Sequence, residues 1–333
     1  VADRPTAVLA MGLDVARAVF PPGLRERLRR CADLTDEPLT GSLTGTEAGA
    51  VLADTQLLIT GWGCPPLAAD VLALAPRLQA IVHSAGSVKS LVTEAVWERG
   101  LLVSSAADAN AGPVVDYTVA VITLASKRAL STAARYGEGW PAFSEREGAD
   151  GRTVGIIGAS RIGRGVLARL SASDSDYQLL LTDPYVTGRE AASLGAELVP
   201  LDELCRRSSV VSIHAPQLPE TRHLVDAKML ALVPDGGTVV NTARGSLLDT
   251  DALTRECTSG RLDAFLDVTD PEPLPVGHPL LALPNVLTTP HLAGAQGSEV
   301  RRLGVYAVEE AERFARGEPL RGGLGRADLT RLA

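Results

Sequence analysis

The chain has 333 residues, 45% of them hydrophobic and 22% charged, which excludes disorder and fibrous structure and predicts two domains. Its net charge of −8 excludes a nucleic-acid surface, since neutralising phosphates needs a local excess of Lys and Arg. Four scattered cysteines (Cys31, Cys64, Cys205 and Cys257) lack the spacing of a zinc site or a disulfide scaffold, so no metal is expected.

In the first hundred residues, Ala7–Met11, Leu57–Thr60, Ile81–His83 and Leu101–Ser104 read as strands. Helical patterns lie between them at Leu24–Arg30, Pro66–Leu74 and Val92–Arg99. This alternation implies βαβ units and a parallel sheet. From Ala111 to about Ala134 an apolar pattern predicts one extended helix, and Tyr136–Gly151 reads as an irregular connection. A second alternation then begins, with strands at Thr153–Ile157, Leu179–Thr182, Val210–His214, Thr238–Thr242, Ala264–Val268 and Val286–Thr289. Helices are expected at Ile162–Leu170 and Ala227–Leu232, and a last one over Val300–Ala315 that returns to the first unit. With only 4% aromatics, the cores must rest on Val, Leu, Ile and Ala.

The run Gly155-Ile-Ile-Gly158-Ala-Ser160-Arg161-Ile162-Gly163 follows a strand and opens a helix. There Gly158 makes the tight turn, Gly163 allows close packing, and the helix N-terminus faces a pyrophosphate. The middle glycine of the usual fingerprint is Ser160, which either donates its hydroxyl to a phosphate or weakens binding. Asp183 ends the next strand, about 20 residues on, where a carboxylate accepts from ribose hydroxyls and repels a 2′-phosphate. NAD is therefore favoured over NADP. An ordinary Asp at a strand exit is the alternative.

Four segments carry a resemblance: Thr153–Gly163, Val239–Asp249 (VVNTARGSLLD), Leu266–Leu274 (LDVTDPEPL) and Thr289–Gly294 (TPHLAG). Together they resemble the D-isomer-specific 2-hydroxyacid dehydrogenases, of the phosphoglycerate dehydrogenase and glyoxylate-hydroxypyruvate reductase type. The likeness extends over nearly the whole chain. It implies an α/β protein of two doubly wound parallel-sheet domains, a Rossmann NAD-binding domain inserted into a flavodoxin-like substrate domain. The expected boundaries are 1–112 plus 293–333 for the substrate domain and 113–292 for the NAD-binding domain, around a cleft that closes by hinge motion.

Reducing a 2-oxo acid requires a group to hold the carboxylate, one to polarise the carbonyl and an acid to protonate the alkoxide. The planar fork of Arg244 suits the first two tasks, and the resemblance gives it that role. His291 is the acid–base candidate and Glu272 the partner that fixes its tautomer. The resemblance also places Arg161 and Ile162 along the pyrophosphate, Thr242 and Ala243 beside the nicotinamide ribose, and Asp267 on the nicotinamide side. It places Gly86 and Ser87 in the loop that holds the substrate carboxylate. Singly, Arg244 reads equally as a surface charge, Glu272 as a loop carboxylate and His291 as a turn residue.

His214 lines the cofactor side or simply packs, and His83 lies just before the carboxylate loop. Trp62 is either the wall of an apolar substrate pocket or a packing residue. Lys89 reaches a second anionic group or is a solvated loop lysine. The segments Thr60–Cys64 and His83–Gly86 contain no Arg, which disfavours a phosphorylated substrate.

The expected partner is a small 2-oxo or 2-hydroxy acid. A homodimer through the 111–151 region follows from the resemblance. The alternative is a non-enzymatic NAD(H)-sensing or co-repressor-like protein. The opening Val-Ala-Asp-Arg-Pro does not read as a signal peptide, and no apolar run reaches the roughly 20 residues of a membrane helix. A cytoplasmic protein with no membrane partner is the expectation.

Overall fold

Alternate residues of each strand face opposite ways, so a strand apolar at every position must be covered on both sides. The computed structural model, which describes residues 4–330, answers that demand with two sheets, one wholly parallel and one parallel but for a short last strand. In β1 (Thr6–Ala10), Ala7 and Leu9 enter one hydrophobic cluster and Val8 and Ala10 another. In the second sheet, Val154 and Ile156 of the Thr153–Ile157 strand enter one cluster and Ile157 the other.

The chain divides into two compact units. The first takes the described residues through Ala111 together with Ala295–Leu329, and the second is Gly112–Gly294. In the first unit, β1, β2 (Asp33–Leu34), β3 (Leu57–Thr60), β4 (Ala80–His83) and β5 (Leu102–Ser105) lie in the order β2-β1-β3-β4-β5. This is the flavodoxin-like arrangement. The second unit contains β6 (Thr153–Ile157), β7 (Gln178–Thr182), β8 (Glu197–Leu198), β9 (Val210–Ile213), β10 (Thr238–Asn241), β11 (Asp263–Leu266) and β12 (Val286–Thr288). All seven are parallel, in the order β8-β7-β6-β9-β10-β11-β12, the doubly wound Rossmann order. A final two-residue strand, β13 (Gly323–Leu324), returns to pair antiparallel with β5.

The returning Arg301–Ala315 helix belongs to the first unit, where Leu303, Ala307 and Ala311 enter the same cluster as Leu9 and Leu28. Gly304 lets it close on the Leu13–Val19 helix, since a Cβ there would lie 2.0 Å from the Val19 carbonyl oxygen. Arg27 and Glu312 tie it to the Pro22–Cys31 helix by two parallel bonds of 2.7 and 2.8 Å. From the same helix, the buried Glu310 carboxylate accepts from the Ser104 hydroxyl and from the amides of Arg321 and Gly322, which seats β13 on β5.

Two expectations are corrected. The single helix over 111–134 is two, Ala107–Ser126 and Ala129–Ala134, parted at Arg128, whose φ is +51°. A non-glycine residue there is strained. Arg128 is held by an ion pair to Glu147 at 3.5 Å and by close packing of its guanidinium on Gly236. The Pro66–Leu74 helix begins only at Ala69, because Leu67 is bridged to Val92 in an extended conformation. The connection after Tyr136 is irregular apart from two short 3-10 turns, Tyr136–Glu138 and Phe143–Glu145.

Candidate active site

In a doubly wound sheet, functional side chains gather where loops leave the carboxyl ends of the strands. The glycine run does so between β6 and the Arg161–Ser171 helix. Gly158 has φ +95°, and a Cβ there would stand 2.7 Å from the Ala215 amide nitrogen. A Cβ at Gly163 would lie 2.0 Å from the Gly158 carbonyl oxygen. Both positions therefore require glycine. Ser160 does not: its φ of −63° is ordinary, and its Oγ caps the helix by accepting from the Gly163 amide at 3.4 Å.

Asp183 lies at the end of β7 and accepts from the Ala159 amide at 2.7 Å and the Tyr185 amide at 2.8 Å. Those bonds lock the glycine turn to the acidic residue and leave carboxylate lone pairs for further donors. Arg161 is exposed and Ile162 half-buried at the start of the helix. This turn, helix end and carboxylate fit a dinucleotide, with the pyrophosphate on the helix N-terminus and a ribose on Asp183.

His214 lies beneath that turn, buried, with Nε2 2.8 Å from the Ser212 hydroxyl. Burial pushes its pKa down to about 3, so its ring is neutral, and it lies against Gly158 and Gly163. In the first unit, burial likewise pushes His83 down to about 4, opposed by a hydrogen bond to the Ser87 backbone. Its Nδ1 is 2.9 Å from the Thr60 hydroxyl. Both rings are neutral in the fold at pH 7, whereas an unfolded imidazole gains a proton below about pH 6.5. Their stabilisation is thus complete above pH 6.5 and is lost as the pH falls towards 4 and 3. The loss is about 3 kcal/mol for His83 and about 5 kcal/mol for His214. Thermal melts should show the midpoint dropping from pH 7 to 4.5, and less steeply in His83→Gln and His214→Gln. Equal pH slopes in all three proteins would contradict the buried neutral rings.

β10, β11 and β12 are neighbours, and their exits carry the remaining candidates. After β10, the buried Asn241 braces the turn: its Oδ1 accepts from the Ala243 amide at 3.1 Å and its Nδ2 donates to the Arg244 carbonyl at 2.9 Å. Thr242 and Ala243 are buried, and the Thr242 hydroxyl is 2.8 Å from that of Thr118. Arg244 donates from Nη1 to the Ala243 carbonyl at 2.6 Å. Burial lowers its pKa, and the charge of Glu272 opposes that. A Cβ on Gly245 would overlap the Thr269 carbonyl oxygen at 1.9 Å, so glycine lets the Arg244 turn press against the segment leading to Glu272.

Beyond β12, His291 has φ +53°, and its Nδ1 lies 2.7 Å from Glu272 Oε1. An ionised carboxylate only accepts, so the ring proton at this contact sits on Nδ1. Asp267 is buried within the loop rather than exposed at its rim. Its carboxylate accepts from the Thr289 hydroxyl at 2.7 Å and from the Leu292 and Ala293 amides at 2.8 and 2.9 Å. Its role as the anchor of the His291 loop was missed in the sequence. So were Asn241, whose partners lie two and three residues on, and the pair Tyr117 and Thr289, which meet across 172 residues with no short-range signature.

In the first unit, Gly86 and Ser87 follow β4 and Trp62 follows β3. Ser87 Oγ accepts from the Lys89 amide at 3.4 Å, and Gly86 packs on Asn110. Trp62 is 42% exposed, so part of the indole is covered by its neighbours and part is open. Among the described residues there is no cluster of metal-ligating side chains and no helix long and apolar enough to cross a membrane.

Comparison with known proteins agrees with this geometry. Residues 119–293 match the model of the D-isomer specific 2-hydroxyacid dehydrogenase NAD binding domain, so NAD is the cofactor of the second unit. The chain is 32% identical over 286 residues to a D-3-phosphoglycerate dehydrogenase of Methanocaldococcus jannaschii, covering 85% of this chain and 54% of that protein. It is 32% identical over 261 residues to a glyoxylate reductase of Aeropyrum pernix, covering 75% of this chain and 77% of that one. The structure of the TT0316 protein from Thermus thermophilus superposes with a TM-score of 0.76 at 30% identity, over 96% of this chain and all of that one. The chain spans about half the length of the curated phosphoglycerate dehydrogenases it matches. With the glycine turn, the Rossmann order and the family model all falling on the same residues, the chain belongs to the D-isomer specific 2-hydroxyacid dehydrogenase family.

Proposed function

We propose that this protein is an NAD-dependent oxidoreductase that interconverts a small D-2-hydroxy acid and its 2-oxo acid. The observation that carries the reading is the His291–Glu272 pair at 2.7 Å, at the same carboxyl end of the sheet as Arg244. Bound nicotinamide supplies or takes the hydride. Arg244 binds the substrate carboxylate and polarises the carbonyl, with its guanidinium turned by the bond to Ala243. His291 holds a proton on Nε2 and gives it to the carbonyl oxygen in reduction, and recovers it from the hydroxyl in oxidation. Glu272 keeps the opposite nitrogen protonated and stabilises the imidazolium.

Gly158, Ser160, Arg161, Ile162, Gly163 and Asp183 hold the adenosine and pyrophosphate, with Thr242, Ala243 and Asp267 on the nicotinamide side. Gly86, Ser87 and Trp62 are assigned to the substrate. The exposed Trp62 indole and the lack of Arg from Thr60 to Cys64 favour an apolar side chain over a phosphate. A homodimer is proposed through the stretch that exposes Tyr136, Trp140 and Phe143, at 77%, 80% and 86%.

The test is a panel of glyoxylate, hydroxypyruvate, pyruvate, branched and aromatic 2-oxo acids and 3-phosphohydroxypyruvate, each with NADH and with NADPH. Oxidation of NADH by at least one unphosphorylated acid is expected, with NADPH slower. Tight NADH binding without any turnover would instead favour a nucleotide-sensing protein.

A further inference from the structure

We propose that Tyr117 is a positioning residue for His291, acting through Thr289 and Asp267; the proposal rests on the acid–base role given to His291 above. Tyr117 lies in the Ala107–Ser126 helix, 172 residues from Thr289, and their hydroxyl oxygens are 2.9 Å apart. Distance alone does not say which hydroxyl donates. The chemistry does. Thr289 Oγ1 is also 2.7 Å from Asp267 Oδ1, and an ionised carboxylate has no proton to give. The Thr289 proton is therefore committed to Asp267, and Tyr117 must be the donor to Thr289. Burial raises the Tyr117 pKa, which keeps that proton in place.

The chain Tyr117→Thr289→Asp267 ends on the residue that shapes the His291 loop. Besides the Thr289 hydroxyl, Asp267 takes the Leu292 amide on Oδ1 and the Ala293 amide on Oδ2, while its backbone carbonyl takes the His291 amide at 2.9 Å. These bonds span the residue with φ +53°, a backbone conformation that persists only where its surroundings impose it. Donors arranged in series polarise one another, so the first hydroxyl strengthens the grip of the last. The next residue on the helix acts on the other catalytic loop. Thr118 donates to the Val114 carbonyl at 2.7 Å, so at its 2.8 Å contact it accepts from Thr242. Two consecutive helix residues thus brace the turns that present Arg244 and His291.

The test uses the full chain with Tyr117→Phe, Thr289→Val, Thr289→Ser and the double Tyr117→Phe/Thr289→Val variant. Hydrogen exchange of the Leu292 and Ala293 amides should quicken about tenfold in Tyr117→Phe and in Thr289→Val, as for the loss of one hydrogen bond. The kcat should fall about tenfold, with KM for the 2-oxo acid and NADH affinity within about twofold, because a small displacement of His291 costs turnover. Thr289→Ser should restore both. The double variant should lose no more than Thr289→Val alone, since both break one chain.

Unchanged exchange, or additive losses, would overturn the network. Faster exchange with wild-type kcat would overturn the positioning role. If the wild-type chain turns over no 2-oxo acid, the functional reading fails separately. The positioning role is then read from the rate at which diethyl pyrocarbonate modifies His291, which should change in Tyr117→Phe and in Thr289→Val and stay at the wild-type rate in Thr289→Ser. An unchanged rate in Tyr117→Phe would overturn it.

Discussion

His291→Asn is expected to lower turnover of the 2-oxo acid by roughly 10²–10⁴-fold, the usual contribution of a general acid–base group. Asn is the informative replacement because it tolerates the left-handed backbone that His291 adopts at φ +53°. A loss in this variant then reports the ring, not a collapsed loop. NADH affinity should stay within about twofold, since Gly158, Gly163 and Asp183 lie at the exits of β6 and β7, away from β12. Glu272→Gln should be milder, roughly 10–100-fold, because the amide oxygen still accepts from Nδ1 while the negative charge is gone. The pair is about half exposed, with 50% and 41% of the side-chain surface open, so neither variant should shift the melting temperature appreciably. Steady-state kinetics with fluorescence titration of NADH separates these effects. If His291→Asn keeps more than a tenth of wild-type kcat, the acid–base assignment is wrong.

What could be read from the sequence was what repeats at short range. Alternating cores on two faces follow from strands such as Val154–Ile157, where every side chain is apolar and must be covered on both sides. Gly158 and Gly163 were legible for a related reason: only glycine fits the left-handed turn at Gly158, and only glycine lets the helix at Gly163 close on the Gly158 carbonyl. The serine between them looked like a defect. It is a helix cap, and the same substitution that breaks the fingerprint satisfies one of the amides at the helix N-terminus.

Long-range partnerships were not legible. Nothing near Tyr117 announces Thr289, and nothing near Asp267 shows that its carboxylate closes the His291 loop on itself. Two-residue edge strands such as β2, β8 and β13 are too short for any periodicity to register. Arg128 parts the long helix through an ion pair with Glu147 and a bed on Gly236, a tertiary arrangement that overrides local propensity.

Arg244→Ala should cost more than Glu272→Gln, with kcat/KM for the 2-oxo acid falling on the order of 10³-fold or further. The argument starts from what the guanidinium has left to give. One of its N–H groups is spent on the Ala243 carbonyl, which fixes the plane of the fork and leaves donors to meet a carboxylate and the adjacent carbonyl together. Burial lowers its pKa but leaves an arginine fully charged, so the site keeps a cation in a poorly hydrated place where each bond counts for more. Arg244→Lys keeps the charge and tests geometry. A single ammonium cannot serve both oxygens in the fork's plane, so roughly 10²-fold should still be lost, mostly in kcat. The Ala variant should raise KM as well, because carboxylate binding goes with it. Its fold should survive: Asn241 bonds the backbone carbonyl of Arg244, not its side chain, and Gly245 keeps its contact with Thr269. Added guanidinium ion should partly restore turnover to Arg244→Ala and leave His291→Asn unaffected. If Arg244→Lys matches the wild type in kcat/KM, the bidentate contact is not made, and Arg244 serves only as a local positive charge beside Glu272.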